Sequence, residues 1–189
     1  MLWLLPAAAF AQIAQTDSAD RSIAVTPTVL PGVGNFARVS PVLYRGEQPT
    51  AEGFAALQKL GVKTVVSLRA FHDDADLLRG TGLRYVRIPA HAWHPEDEDL
   101  AAFLKIVNDP ANQPVFVHCM QGCDRTGYMV ASYRMIEQHW TLADAQAEMR
   151  NFSFHEVWGA VPRYLKKLNV ESMRLQAEAI ATPTIVTMK

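Results

Sequence analysis

The sequence predicts an α/β domain: a central, mainly parallel, twisted sheet flanked by helices, with a helical C-terminal third. Two observations predict it. Apolar and β-branched runs that suit buried strands alternate with segments of helical period, which is typical of a parallel sheet. The last of these runs, 114–118, is followed only by helical segments. The 189 residues, 49% hydrophobic and 20% charged, suit one globular domain.

The predicted elements begin at residue 42. The stretch "VLYRG" (42–46) indicates a short strand. Residues 50–61 have a helical apolar face, with Thr50 placed to cap the start and Gly61 the end. The β-branched run 62–68 predicts a buried strand.

The second half of the domain continues the alternation. After a polar turn and a short helix, residues 83–89 alternate as a strand and residues 95–109 place apolar side chains at helical spacing. Strand 114–118 follows. The remaining helices are predicted at 125–139, at 141–151 with Thr141 as its cap, and at 160–180.

The two ends of the chain are predicted to lie outside the domain, which we place at 42–180. Residues 1–11 indicate a signal peptide, because a short apolar core precedes an Ala-Phe-Ala cleavage pattern, although only the terminal amine supplies positive charge. Residues 12–41 indicate a linker or N-terminal extension, and 181–189 a C-terminal tail. We therefore expect export to the periplasm or medium, or a cytoplasmic protein if the signal is not functional.

Charge and cysteine content exclude several classes of protein. The net charge of −1 gives no field of one sign, which disfavours a nucleic-acid binder. No stretch after the N-terminus is long and apolar enough to span a membrane. The two cysteines, Cys119 and Cys123, form no disulfide framework and lack zinc-site spacing, so we expect no metal and no cofactor.

The chemistry is expected in "VFVHCMQGCDRTG" (115–127), where a strand passes through a short loop into a helix. Ligands of parallel sheets bind at the carboxyl ends of strands, so Cys119 is delivered to such a site. Backbone N–H groups of residues 120–125 and the positive helix end can converge there on one anion. Gly122 permits a close approach or a positive φ, and Arg125 can bind two oxygens of a phosphate. We call residues 119–125 the signature loop.

The same surroundings favour a thiolate at Cys119, because oriented N–H dipoles and a guanidinium stabilise negative charge. A nucleophile in such an oxyanion site implies attack on phosphorus and a covalent phosphocysteine. The Thr126 hydroxyl is placed to assist the departing thiolate in the second step. We expect His118 to orient the loop rather than to take protons itself.

At these residues the chain resembles a known family. "HCMQGCDRTG" matches the H-C-x-x-G-x-x-R-[ST]-G signature of protein tyrosine and dual-specificity phosphatases. The segment from residue 42 to 69 is similar to the small atypical dual-specificity phosphatases of bacteria, fungi and plants, so the resemblance covers about 42–160. It implies the family's fold, a metal-free phosphocysteine mechanism and phosphomonoester substrates, with Cys119 as nucleophile and Arg125 as phosphate clamp. It also implies backbone donors at Met120, Gln121, Gly122, Cys123, Asp124 and Arg125, and assistance from Thr126.

The general acid that protonates the leaving oxygen is not assigned by the sequence. The family's aspartate about 30 residues before the cysteine has no counterpart in "IPAHAWHPEDED" (88–99). Asp97 and Asp124 are the tentative candidates, with His91 and His94 as alternatives. The acids of 96–99 can equally form a solvated first helical turn, and Asp124 can serve as a local loop contact.

The expected function is hydrolysis of phosphotyrosine, phosphoserine or phosphothreonine in proteins. Asp124 beside the arginine favours an alternative substrate, a phosphoinositide or inositol phosphate, and the lack of lysine in the loop counts against it. An alternative from a different class is a pseudophosphatase that binds phosphorylated ligands without turnover. The oligomeric state is left open.

Several side chains near the motif have more than one interpretation. Cys123 is either a small loop residue or a redox partner of Cys119. Trp93 and Trp158 are interpreted as core or rim packing rather than as substrate platforms. Arg45 and Arg69 lie at strand ends, where structural pairing is favoured over contact with additional phosphates.

Overall fold

The computed structural model describes residues 23–189; the predicted signal peptide lies outside them. The described part forms a mixed seven-stranded sheet with helices on both faces. The strands are β1 (Thr28–Leu30), β2 (Val33–Ser40), β3 (Leu43–Gly46), β4 (Thr64–Ser67), β5 (Arg84–Arg87), β6 (Val115–His118) and β7 (Val186–Thr187). The helices are α1 (Ala51–Lys59), α2 (Ala75–Leu78), α3 (Asp97–Asn108), α4 (Asp124–Glu137), α5 (Leu142–Asn151), α6 (Ala160–Lys167) and α7 (Val170–Ala179), with a 3-10 turn at Pro110–Asn112.

The strand order is β1-β2-β3-β6-β4-β5-β7. The four central strands are parallel, as predicted, whereas β1, β2 and β7 pair antiparallel at the edges. Strand β6 lies between β3 and β4, so its carboxyl end is surrounded by the ends of its neighbours. This position places the signature loop at the centre of that edge.

The sheet separates two apolar cores. One face packs against α3–α7 and includes Val117 and Cys119. The other packs against α1 and α2 and includes Phe54 and Phe116. Because side chains alternate along a strand, β6 contributes to both cores. Arg45 pairs in register with Val117, and Gly46 with His118.

Three predictions about the ends of the domain need correction. Residues 28–40 form β1 and β2, although we predicted a linker over 12–41, because β2 completes the sheet by pairing with β3. The tail predicted at 181–189 contains β7, which pairs with β5. The helix predicted at 160–180 is two helices, because Asn169 caps the second by accepting a hydrogen bond from the Ser172 N–H at 3.0 Å.

The predicted helix caps are confirmed. Thr50 accepts a hydrogen bond from Gly53 N–H at 3.2 Å, and Gly61 has φ +89° just after α1 ends. Thr141 likewise accepts from Asp144 N–H at 3.2 Å. Among the described residues, no helix has both the length and the apolar character needed to cross a membrane.

Candidate active site

The signature loop joins the end of β6 to the start of α4. Cys119 follows the last residue of β6 and is 2% exposed. Gly122 has φ +71°, and a Cβ there would lie 2.6 Å from the carbonyl carbon of Gly46. Both reasons predicted for a glycine at this position are therefore confirmed. The loop is packed tightly onto the end of β3.

Arg125 lies in the first turn of α4, half-buried at the edge of the loop. Its Nη1 donates to the Leu68 carbonyl at 3.4 Å, just beyond the end of β4. The guanidinium is thus tethered to a neighbouring strand and keeps most of its donors for a ligand. A helix start and a guanidinium together form a site suited to an anion.

A second arginine supports the loop from the buried side. Arg45 is fully buried, donates from Nη2 to the Gly122 carbonyl at 2.7 Å, and lies 3.6 Å above the Phe152 ring. Burial lowers the pKa of Arg45 to about 10, while Glu148 and Cys119 oppose this effect. The guanidinium stays charged at neutral pH and interacts electrostatically with the Cys119 sulfur.

Asn35 is a further support that the sequence did not indicate. Its amide donates to the carbonyls of Gln121 and Phe152, at 3.1 Å each. Asn35 lies in β2, a strand missing from the prediction, and no local pattern marks it as a site residue. It fixes the outer part of the signature loop to the segment after α5.

Beneath Cys119 lies a buried histidine–aspartate pair. His118 Nδ1 is 3.1 Å from the Cys119 carbonyl, and its Nε2 is 3.1 Å from an Asp74 oxygen in an ion-pair contact rather than an aligned hydrogen bond. Both side chains have no exposed surface. A carbonyl and a carboxylate can only accept, so the ring needs a proton on each nitrogen to satisfy both. The orienting role predicted for His118 therefore involves Asp74 as well, a residue that the sequence did not indicate.

Asp74 is held as an anion by its neighbours. Burial by itself would raise the pKa of Asp74, but the contacts with His118 and Gln48 outweigh it and lower the pKa to about 2. Gln48 also accepts from Arg69 at 3.1 Å, and its backbone N–H donates to the Met120 carbonyl at 3.1 Å. A single polar network thus connects Asp74 to the signature loop, and it uses Arg69 structurally, as expected.

The two predicted acids are engaged elsewhere. Asp124 accepts from the His155 backbone N–H and from Trp158 Nε1, each at 2.9 Å, and its carboxyl is 15% exposed. Asp97 accepts from the Tyr164 hydroxyl at 2.8 Å and lines a cavity with α6 and α7. These contacts fit the local, structural interpretation of both residues better than the acid role.

Asp99 is the carboxyl among residues 96–99 whose pKa is shifted by its surroundings. Burial, followed by the charge of Glu96, raises the pKa of Asp99, and His91 opposes the rise. Burial raises the pKa of the Tyr128 hydroxyl. The charge of Asp99 raises this pKa further, whereas the charge of Arg125 lowers it. Asp99 and Arg125 therefore both act electrostatically on the same tyrosine, so a half-buried carboxyl lies within electrostatic range of α4.

The remaining motif residues have simple environments. The Thr126 hydroxyl is buried and makes no hydrogen bond among the described residues, so it has a donor to spare. Cys119 and Cys123 are free thiols. Burial, then Asp124, raises the pKa of Cys123 to about 11. A thiol protonated at neutral pH fits a small loop residue better than a redox partner.

Comparisons with known proteins agree with this geometry. A family model described as "PTP-NADK: DSP-PTPase phosphatase fused to NAD+ Kinase" matches residues 33–184. The dual specificity protein phosphatase TpbA of Pseudomonas aeruginosa (strain UCBPP-PA14) is 35% identical over 161 residues, 84% of this chain and 73% of that protein.

Solved structures show the same fold. A crystal structure of a substituted P. aeruginosa TpbA in complex with pTyr has a TM-score of 0.70 and 33% identity, covering 85% of this chain and 99% of that chain. The core catalytic domain of the PP-IP phosphatase SIW14 from S. cerevisiae, in complex with citrate, has a TM-score of 0.71 and 26% identity, covering 80% and 94%.

Proposed function

Because the chain belongs to the family of DSP-PTPase phosphatases, we propose that it hydrolyses phosphomonoesters through a covalent phosphocysteine on Cys119. One observation carries this proposal: Cys119 lies at the carboxyl end of a central parallel strand, in a loop that leads directly into α4 and its Arg125. A nucleophile, a guanidinium and a helix start then face one tetrahedral anion.

The reaction proceeds in two displacements. The Cys119 thiolate attacks phosphorus, the bond to the leaving oxygen breaks, and that oxygen takes a proton from an acid. The non-bridging oxygens are held by Arg125 and by the backbone N–H groups of 120–125. Water then attacks the phosphocysteine and gives a proton to the acid residue, which the first step left deprotonated; the S–P bond breaks, the Cys119 thiolate is restored and inorganic phosphate leaves. The free Thr126 hydroxyl stabilises the departing thiolate.

We assign the acid role to Asp99. It is the carboxyl in 96–99 whose pKa is raised, by burial first and by Glu96 next, so it holds a proton at higher pH than an ordinary aspartate. Asp97 and Asp124 are both committed to hydrogen bonds. The first displacement needs a group that still holds its proton when the leaving oxygen departs.

The proposed substrates are phosphorylated proteins, with phosphotyrosine and phosphoserine or phosphothreonine as the phosphomonoesters. This choice is supported by the similarity to a dual specificity protein phosphatase. The second candidate, an inositol phosphate, is supported by the similarity to the PP-IP phosphatase SIW14.

The test is turnover of a generic aryl phosphate between pH 5 and 7, followed by a panel of phosphotyrosine peptide, phosphoserine peptide and inositol polyphosphate. The proposal requires activity that chelator leaves intact, that vanadate blocks, and that Cys119→Ser and Arg125→Lys abolish. Turnover that survives Cys119→Ser contradicts it. Binding of phosphorylated ligand without turnover supports the pseudophosphatase instead.

Export of the chain is part of the proposal, supported by the apolar N-terminus and its Ala-Phe-Ala pattern at 9–11. The expected mature protein begins at Gln12. Sequencing the N-terminus of protein recovered from the periplasm or medium checks this, and recovery of the intact chain only from the cytoplasm contradicts it.

A further inference from the structure

A series of aromatic rings borders the signature loop. Ring centroids of Phe71 and His91 are 6.3 Å apart, those of His91 and Trp93 4.7 Å, and those of Trp93 and Trp158 6.1 Å. These spacings lie within or close to the range in which aromatic rings contact one another. We call the four residues the aromatic rim.

Both ends of the rim are tied to the signature loop. Trp158 donates from Nε1 to Asp124 within the loop, at 2.9 Å. Phe71 lies three residues after Leu68, whose carbonyl accepts from Arg125. The middle of the rim comes from the segment after β5, the parallel strand next to β4. The rings therefore follow the edge of the sheet at which Cys119 is placed.

The rim presents large apolar surface to solvent. Phe71 is 93% exposed and Trp93 58% exposed, and Met120 within the loop itself is 59% exposed. Packing accounts for Trp158, which is half-buried against the core. It does not account for Phe71 and Trp93, so the earlier interpretation of Trp93 as packing is insufficient. Exposed apolar side chains grouped on one part of the surface commonly mark a binding site.

The charge around the site limits what this surface can bind. The segments 68–74, 88–96, 119–125 and 152–159 contain two arginines, no lysine and five acidic residues. Of the two arginines, Arg125 belongs to the signature loop, where one phosphate would bind, whereas Arg69 lies outside the loop and is hydrogen-bonded to Gln48. A polyanion such as an inositol polyphosphate would have its other phosphates near carboxylates. One phosphate on a planar apolar group fits both the charge and the rings.

Resting on the proposed function, we propose that the aromatic rim, through Trp93 and Phe71, binds the aromatic ring of the leaving group and selects aryl phosphomonoesters such as phosphotyrosine. The phosphate lies on Arg125 while the attached ring packs against the exposed rings. Alkyl phosphates such as phosphoserine lack that ring and gain nothing from the rim.

The experiment compares kcat/KM for two peptides that differ only in phosphotyrosine or phosphoserine, with inositol hexakisphosphate as a third substrate. The variants are Trp93→Leu and Phe71→Leu, which keep an apolar side chain but remove the ring. The control is Val157→Ala, an apolar residue that is 82% exposed in the same region but outside the rim. Phosphotyrosine has the better leaving group and so a higher intrinsic rate. Because each variant is compared with the parent on both peptides, this difference in rate cancels.

We expect Trp93→Leu to lower kcat/KM for the phosphotyrosine peptide about three- to tenfold, mainly through KM, as loss of one aromatic contact predicts. Phosphoserine turnover changes less than about twofold, and the control changes neither. Equal losses on both peptides, no loss on either, or a preference for inositol hexakisphosphate overturns the inference.

A binding arm separates this inference from the proposed function. In a Cys119→Ser background, calorimetry measures the Kd for the phosphotyrosine peptide with and without Trp93→Leu. A ring-dependent Kd supports the inference even if the parent turns over nothing, in which case only the proposed function fails. A Kd that Trp93→Leu leaves unchanged overturns the inference even if turnover is normal.

Discussion

Replacing Asp74 by asparagine tests whether the buried pair beneath the signature loop sets the reactivity of Cys119. Asp74→Asn keeps the size of the side chain but removes the anion opposite His118. Without that anion, the His118 ring loses the ion-pair contact at its Nε2, and the polar contact that remains is the one with the Cys119 carbonyl. The support beneath the signature loop is then weakened one residue away from Cys119, the proposed nucleophile.

The magnitude follows from the pKa of Asp74, which is about 2 instead of the ordinary 3.8. This difference corresponds to about 2 kcal/mol of folding stability, since one pKa unit is about 1.4 kcal/mol. A folded-state pKa below the unfolded value stabilises the protein above about pH 4, and this contribution is lost as the pH falls toward 2. The difference in unfolding free energy between the parent and Asp74→Asn therefore becomes smaller as the pH falls from about 4 to 2.

The effect on Cys119 follows from the same lost contact. A His118 ring released from Asp74 no longer fixes the Cys119 carbonyl, and one hydrogen bond of this kind is worth about 1 kcal/mol. We expect the rate of Cys119 alkylation by iodoacetamide at pH 6 to fall about fivefold, and turnover to fall with it.

The matched control is Asp73→Asn, which removes the adjacent aspartate. Asp73 is 52% exposed and pairs with Arg87 at the surface, so its loss is worth less than about 1 kcal/mol and leaves alkylation unchanged. Near-ultraviolet circular dichroism shows whether each variant is folded. A folded Asp74→Asn protein with the parent's alkylation profile would refute the reasoning.

Three further predictions concern the same site. Arg45→Met lowers turnover about 10- to 100-fold, because the Gly122 carbonyl loses its donor. It also lowers the unfolding free energy in urea by about 1 to 3 kcal/mol, because that buried carbonyl is left unpaired. Normal turnover in the folded variant contradicts this. Asp99→Asn lowers kcat for a phosphoserine peptide about 100-fold and leaves substrates with good leaving groups nearly unaffected. It also removes the fall of kcat at high pH, because that fall reports loss of the proton that Asp99 holds with its raised pKa. If kcat still falls at high pH in the variant, the acid is another residue. Cys123→Ser recovers from mild peroxide as fully as the parent does, because a thiol with a pKa of about 11 is a poor nucleophile at neutral pH; failed recovery supports the redox role.

The central strands and the signature loop were predictable because their determinants are local. Buried parallel strands are continuous apolar runs, and the spacing of Cys119, Gly122 and Arg125 lies within a single loop. The same holds for caps such as Thr50, where side chain and backbone partner are three residues apart. Contacts between residues that are close in sequence can therefore be predicted without knowledge of the whole fold.

The supports of the loop were not predictable, because each joins distant segments. Arg45 reaches Gly122 across 77 positions, and Asn35 reaches Gln121 across 86. Nothing near Asp74 in the sequence distinguishes it from Asp73. Strand β2 was missed for a related reason: "VGNFARVS" is interrupted by glycine and asparagine, and its strand state depends on pairing with β3.

Arg45 and His118 approach the signature loop from opposite faces of the sheet, since they occupy neighbouring registers of β3 and β6. Arg45 stacks on the buried Phe152, whereas His118 packs edge-on against Phe54 in the core beside α1 and α2. They share no side-chain partner, so their contributions to thiolate chemistry are expected to add in a double-mutant cycle with little coupling. Cys119, the proposed nucleophile, therefore has two separate supports, and we expect loss of either one to lower turnover without abolishing it.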